Sequence, residues 1–433
     1  MSCACSIPIY YELPDSEPPI GAAALEGDQD ADIAVVGGGL AGLAVALSLV
    51  ERGAKPVVLE AAQVGDGASG RNGGFLQLGW AADDERVEAA LGSTDAAVLF
   101  EAAKDAVALV KARVARHAIR TEVTPGIVEA SFFAGEDELR RRADLLARRH
   151  GVPFEHLDRA KLKELYRTSV YRGGVLDPCS VHLDPLALTR GYARAVLAGG
   201  GRLFEHSPVH ALVPEPGGIR LVTAQGRVRA RQVVLATSVY GQDPDGRAAW
   251  ALLPVMTYAL VTEPLGRRLE EAIRAPYAVF DDRFAMGYWR PLPDGRLLWG
   301  GKIGLTDAPR GLEAAMLADL RWIFPQLGSV AAERVWSGRM GFTRHRMPLA
   351  TPLGPNLWLA TGFCGHGLGT TTAVGELLAA ALLEGDRRID LLARFGRPWA
   401  GGVFGPLAAQ LLYGWLELRD HVRLRRMGST TIS

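Results

Sequence analysis

The sequence predicts an α/β protein in which a parallel sheet flanked by helices is interrupted by a second region built on an antiparallel sheet. Three observations carry this expectation. ADIAVV (31–36), GGGLAG, the helical run LAVALSLVERG (43–53) and KPVVLE (55–60) form a strand, glycine turn, helix and strand in succession. Far downstream, NLWLATGF (356–363) is again a buried strand and runs through TGFCGHGLGTTT (361–372) into a helix. Between 254 and 342 the segments TYALVTEPL, YAVFDDRFAMGYWRPL and GRLLWGGKIG are short, aromatic-rich and separated by turn residues.

Taken in order, Pro8, Pro14, Pro18 and Pro19 among small and acidic residues mark 1–30 as an extended arm rather than a packed element. The first part of the parallel-sheet domain follows at 31–85. Residues 85–118 carry Val87, Leu91, Val98, Leu99, Ala102, Ala106, Leu109 and Val110 at mostly helical intervals, predicting one or two long helices. A strand is expected at 126–132. EDELRRRADLLARRHG (136–151) reads as a helix with acids at its start, arginines toward its end and Gly151 as its stop. Its arginines form either an anion patch or a solvated face. Segment 86–155 is assigned to the second domain, and 156–240 to the parallel sheet again, with a helix at 184–201 and strands at 202–209 and 232–238. The antiparallel region spans 241–339, the last part of the first domain 340–390, and an amphipathic tail 391–433.

At 433 residues and 48% apolar content the chain has room for two or three domains. Lys plus Arg and Asp plus Glu both total 48, so no net field draws it to nucleic acid, and small molecules are the expected partners. Cys3, Cys5, Cys179 and Cys364 match neither a disulfide framework nor a metal site. The N-terminal MSCACSIPIYY lacks a basic region and an apolar core, so a cytoplasmic location is expected. No stretch reaches the length of a membrane span.

Gly37, Gly39 and Gly42 make G-x-G-x-x-G between a strand and a helix, the context of a Rossmann-like dinucleotide site. The first glycine permits the turn, the second admits a pyrophosphate to the backbone, and the third lets helix and strand pack; the helix N-terminus then favours the phosphate charge. Glu60 ends the second strand, where it would accept from ribose hydroxyls. NAD or FAD would suit this unit alone. FAD is favoured by GASGRNGGF (67–75), a second close-approach loop just beyond Glu60, and by the third glycine cluster at 361–372. No second strand-GxGxxG-helix unit is present for NAD(P)H.

VVGGGLAGLAVALSLVERG, VVLEAAQVGDGASGRNGG, HLDPLALTRGYARA, VVLATSVYG and ATGFCGHGLGTTTAVGELLA together resemble the D-amino acid oxidase superfamily of FAD enzymes. Within it the sequence is most similar to the gamma-glutamylputrescine oxidase group and less so to the sarcosine oxidases. Tyr10 and Tyr11 in the arm and FGPLAAQLLYGWLELRDHVRLRR in the tail add to the likeness. The resemblance implies a glutathione-reductase-type FAD domain carrying an inserted α+β substrate domain, and non-covalent FAD. Besides the residues named above, it places Leu40, Ala41, Ala61, Ala68, Ser69, Arg71, Asn72, Gly73 and Gly74 at the cofactor. Val209, Ala236, Thr237, Gly362, Gly365, His366, Gly367, Leu368, Gly369 and Thr370 complete that expectation. No metal site is expected.

The activity implied is oxidation of an amine C–N bond, with hydride passing to flavin N5, hydrolysis of the imine, and reoxidation by O2 or another acceptor. Three roles stand open for His366: base, flavin hydrogen-bond partner, or packed side chain. Tyr258, Tyr288, Trp289, Arg290 and Trp336 are expected to roof the flavin's substrate face, as an aromatic cage for an amine or as ordinary strand packing. The candidate catalytic set is His366, Arg71, Tyr258, Trp289 and Arg290. Met340 stands where the sarcosine oxidases have a flavin-linking cysteine, and Gly369 where they have a lysine for the substrate carboxylate. A carboxylate would then need Arg290 or Arg71, which shifts the expectation toward a plain amine. Cys364 is either redox-active or a space-filler. The tail's apolar run followed by Arg419, Arg423, Arg425 and Arg426 fits a helix packed on protein or partner subunit, or one at a membrane surface delivering electrons to a quinone. A third reading is a flavin-binding subunit of a larger complex.

Overall fold

Apolar residues fill both faces of the end of the strand Gly27–Val36, which places it at the centre of an eight-stranded sheet. Ile33 and Val35 feed one core layer, Ala34 and Val36 the other, as the two-residue period of a strand requires. The computed structural model describes residues 17–240 and 245–429. Cys3, Cys5, Tyr10 and Tyr11 lie outside them.

Five strands of this sheet run parallel in the order Leu357–Thr361, Gly226–Leu235, Gly27–Val36, Val57–Leu59 and Arg202–Phe204. Leu349–Gly354 closes one edge antiparallel, and the hairpin Ala211–Glu215 with Gly218–Val222 joins Gly226–Leu235. The Leu40–Val50 helix packs along the Gly367–Glu384 helix, where Gly375 permits the approach: a Cβ there would lie 2.7 Å from the backbone of Ala44. Ser93–Arg116 covers the second of these helices. Fully buried Arg113 ties all three together, binding Glu51 and, at 2.7 Å, Glu376.

The second sheet has nine strands, ordered Ala332–Phe342, Leu253–Thr262, Leu297–Gly304, Tyr288–Pro291, Ala278–Asp281, Thr124–Ser131, Gly173–His182 and Phe75–Leu76, with Glu155–Asp158 beside Gly173–His182. All its pairings are antiparallel except Ala278–Asp281 with Thr124–Ser131. One face supplies Tyr258, Leu260, Trp289 and Trp299 to a core closed by Leu320 and Phe324. The other sets Ala259, Val261, Leu298 and Trp336 against Leu186 of the Pro185–Ala198 helix, facing the parallel-sheet domain.

The structure departs from the sequence reading in two places. Residues 155–158 and 173–182 join the second sheet, not the parallel one, because Gly173–His182 lies antiparallel to Thr124–Ser131 along most of its length. The described part of the expected arm is packed: Glu17 and Leu25 are buried, the Glu205 carboxylate accepts from Ala22 N at 2.8 Å, and strand pairing with Gly226 begins at Gly27. The one or two helices expected over 85–118 are two, Asp84–Leu91 and Ser93–Arg116, divided at Gly92, whose φ of 83° a helix interior does not accommodate.

Candidate active site

The C-terminal ends of the parallel strands are where a doubly wound sheet binds its ligand, and the glycine turn sits there. Gly37 has φ +116°, and a Cβ on it would lie 2.7 Å from Ala236 O. At Gly42 a Cβ would come within 2.0 Å of Gly37 O, so helix and turn could not keep this spacing with alanine. Gly39 caps the Leu40–Val50 helix with no capping side chain and no acid in the first turn. Its first amide groups lack intrahelical acceptors, and Leu40 N donates instead to Ser69 Oγ at 2.8 Å. The Glu60 carboxylate accepts from Gly38 N at 2.5 Å and Ala62 N at 2.9 Å. Burial pushes its pKa up, and these two amides oppose that. Ser207 N donates to Glu60 O at 2.8 Å, bringing the segment before buried Val209 over the same strand end, while Ala236 N donates to Val36 O at 2.8 Å and leads to Thr237.

GASGRNGGF links the two sheets. Ala68–Gly70 is a single 3-10 turn, and Phe75–Leu76 is already a strand of the second sheet. Asn72 holds the turn shut, donating from Nδ2 to Ala68 O and Ser69 O and accepting from Gly74 N at 2.9 Å. Arg71 is buried; its Nε donates to Asp66 O at 2.9 Å, its Nη2 lies 3.6 Å from Asp66 Oδ1, and its carbonyl accepts from Trp336 Nε1 at 2.9 Å. Gly73 and Gly74 are needed for closeness: a Cβ would lie 2.6 Å from the Tyr288 ring at Gly73 and 2.0 Å from Leu183 O at Gly74.

The third loop caps the Gly367–Glu384 helix with His366, whose side chain makes no capping hydrogen bond; no acid lies in the first turn. Gly362 and Gly365 take positive φ, and Thr370 Oγ1 donates to His366 O at 2.5 Å. His366 Nε2 is buried without a hydrogen-bond partner. Burial pulls the imidazole pKa down, against the backbone of Leu78, Gln77 and Gly79, so the ring is neutral near pH 7. Leu368 and Gly369 are buried in the same turn; a Cβ at Gly369 would meet Leu76 at 3.2 Å and Gln77 O at 3.3 Å.

Several expected roof residues are placed elsewhere. On Tyr288–Pro291 successive side chains alternate, so Tyr288 and Arg290 face the GASGRNGGF loop while Trp289 turns into the second-domain core against Tyr166 and Phe324. Trp289 is 1% exposed, and its Nε1 donates to Tyr171 OH. Tyr258 belongs to the same core and donates to Thr306 O at 2.6 Å. Both are corrected from candidate catalytic groups to packing residues. Arg290 lies at the loop, but as a clamp: Nε donates to Gly73 O at 2.7 Å and Nη2 to Leu183 O at 3.0 Å, with Nη1 3.4 Å from His182 Nδ1. Cys364 is neither a thiolate nor near another cysteine among the described residues; burial pushes its pKa up, and its Sγ sits against Gly362 O and Thr343.

One neighbour, Tyr240, escaped the sequence reading. The Tyr240 ring lies against Gly67, and its hydroxyl accepts from Arg339 N at 2.6 Å. Its place in VVLATSVYG, just past a parallel strand's C-terminal end, was the available signal. Met340 Sδ would lie 2.8 Å from a Cβ at Gly365, which sets the sulfur beside the third loop.

These features fit FAD. The glycine turn and Glu60 suit pyrophosphate and ribose, and the third loop offers a positively polarised helix end and an unpaired buried His366 Nε2. Residues 32–381 match the DAO family, described as FAD dependent oxidoreductase, and the chain belongs to that family. It is an FAD-dependent enzyme of the class that oxidises C–N bonds of amines and amino acids. Gamma-glutamylputrescine oxidoreductase of Escherichia coli (strain K12) is 34% identical over 86% of this chain and 88% of its own. "Probable oxidoreductase OrdL" of Rhizobium meliloti (strain 1021) is 30% identical over 95% and 97%. The crystal structure of L-proline dehydrogenase from P. horikoshii superposes with a TM-score of 0.73 over 86% of this chain and 99% of that one, at 21% identity, which is a likeness of fold.

Proposed function

We propose that the protein oxidises the C–N bond of a primary or secondary amine of the polyamine or gamma-glutamyl-amine kind, rather than an α-amino acid. One observation carries the reading: the two arginines to which a substrate carboxylate was assigned are committed inside the protein. Arg290 spans Gly73 O and Leu183 O, and Arg71 is buried against Asp66. Gly369 contributes no side chain, and its crowded surroundings leave a larger residue little room. The 34% identity to gamma-glutamylputrescine oxidoreductase supports the same substrate class.

Bound FAD supplies the two-electron acceptor for the substrate's hydride. The chain's part is to position both partners. The amides of Gly367 to Gly369, which lack intrahelical acceptors, and the helix dipole behind them stabilise negative charge at the edge they face. Neutral His366 offers Nε2 as an uncharged hydrogen-bonding group, so this ring adds no positive charge that would repel an ammonium substrate. A low-dielectric pocket lowers the pKa of a bound ammonium and raises the share of neutral amine that can react. The proposal is tested by anaerobic mixing of the holoenzyme with polyamines, their gamma-glutamyl derivatives, N-methyl amino acids and D- and L-amino acids. Flavin absorbance should bleach with the first two groups. Bleaching by amino acids alone, or by nothing in the panel, would overturn it.

A further inference from the structure

The Gly405–Ser429 helix is docked on one face only. Asp420 is buried and accepts from Phe284 N at 2.7 Å, Tyr413 packs on Phe284 with ring centroids 5.3 Å apart, and Arg423 lies 4.1 Å over the Phe133 ring. Leu424 packs on the second-domain core. The outward face carries Phe404, Leu407, Leu411, Trp415, Leu418 and Val422, recurring every three or four residues and between 40% and 72% exposed. At the helix's N-terminal end Trp250 and Trp399 are also about half exposed and pair at 6.0 Å. Scaling large apolar side chains of roughly 150–250 Å² by these exposures gives on the order of 700 Å² of continuous apolar stripe. That exceeds what an isolated monomer ordinarily leaves in water.

We infer that this stripe seats the protein on the surface of an anionic phospholipid bilayer. Charge decides the occupant. The helix carries Arg419, Arg423, Arg425 and Arg426 toward its C-terminal end against two carboxylates, Glu417 and Asp420, of which Asp420 also pairs with Arg419 at 3.2 Å, so this end is net positive. Antiparallel pairing with a second copy would lay that arginine end on the partner's Phe404–Leu407 end, where the helix has no carboxylate. Parallel pairing would lay arginine on arginine. Anionic headgroups complement the net positive charge of this end of the helix, while indole and leucine side chains enter the boundary beneath them, the arrangement of an interfacial amphipathic helix. No helix among the described residues is long and apolar enough to cross a bilayer, so the helix lies along the surface.

The test is co-sedimentation of the holoenzyme with phosphatidylcholine vesicles, with and without phosphatidylglycerol. Wild type should partition about tenfold more strongly onto the anionic vesicles, and added salt should weaken it. The variant Leu411→Gln/Trp415→Gln/Leu418→Gln should drop to background while keeping its bound flavin and circular dichroism. Equal sedimentation with neutral and anionic vesicles, or equal sedimentation of the triple variant, would overturn the inference. So would light scattering that finds a dimer which the triple substitution dissociates, because the stripe would then belong to a second copy.

Discussion

Arg290→Met separates a structural clamp from a substrate-binding cation. In the wild type a buried guanidinium donates to two carbonyls, Gly73 O at 2.7 Å and Leu183 O at 3.0 Å, on opposite sides of the junction between the GASGRNGGF loop and the Gly173–His182 strand. Methionine keeps the apolar volume but leaves both carbonyls without these donors. Each unsatisfied buried acceptor costs about 1–3 kcal/mol, so the variant should lose about 2–6 kcal/mol. For a chain of this size the melting temperature of the holoenzyme should fall by roughly 2–7 °C. The loosened loop should also release flavin on dialysis, and the fraction that retains it should show a near-normal KM. Arg290→Lys, with a point charge in place of a planar fork, should rescue little. A variant of unchanged stability whose KM rises only for carboxylate-bearing substrates would refute the clamp.

Gly42→Ala should yield apoprotein, because the added Cβ would sit 2.0 Å from Gly37 O; normal FAD occupancy after purification would contradict the tight helix–turn contact. His182 has its pKa pulled down to about 4 by burial first and the Arg290 charge second. The unfolded chain therefore takes up this proton below about pH 6.5 while the folded chain stays neutral, so stability falls as pH drops from about 6.5 to about 4, by up to roughly 3 kcal/mol. Denaturant melts across that window should show a shallower slope for His182→Gln; identical slopes would remove His182 from the account. Acid precipitation of wild type and Cys364→Ser should release all flavin into the supernatant in both cases, and yellow colour left in the pellet would indicate a covalent bond.

The glycine turn, Glu60 and the GHG loop were legible because their spacing and their place between strand and helix are local properties of the chain. The roof was not. YWRP is four residues in a row, and only the pairing of Trp289 with Trp299 and Val279 fixes which side of the sheet each side chain takes. Arg290 likewise shows nothing in sequence of its two carbonyl partners, one of them more than two hundred residues away at Gly73. Segment 173–182 reads as a buried strand in either domain, since its partner Thr124–Ser131 is set by tertiary contact rather than by composition. The packed segment before Gly27 was hidden for a related reason: its prolines signal extended chain, but the groups that hold it, Glu205 and Ser207, lie far along the sequence.

We propose that the substrate carries no carboxylate on the carbon that bears the reacting amine. Stopped-flow reduction of the flavin under anaerobic conditions tests it with a matched pair: a gamma-glutamyl-blocked diamine, and the same molecule with a carboxylate on the reacting carbon. The plain amine should bleach the flavin fast and its carboxylated twin should reduce it at least about a hundredfold more slowly, since a buried unpaired carboxylate costs several kcal/mol. Faster reduction by the carboxylated compound would contradict it, and would require a cation other than Arg71 and Arg290 at the site.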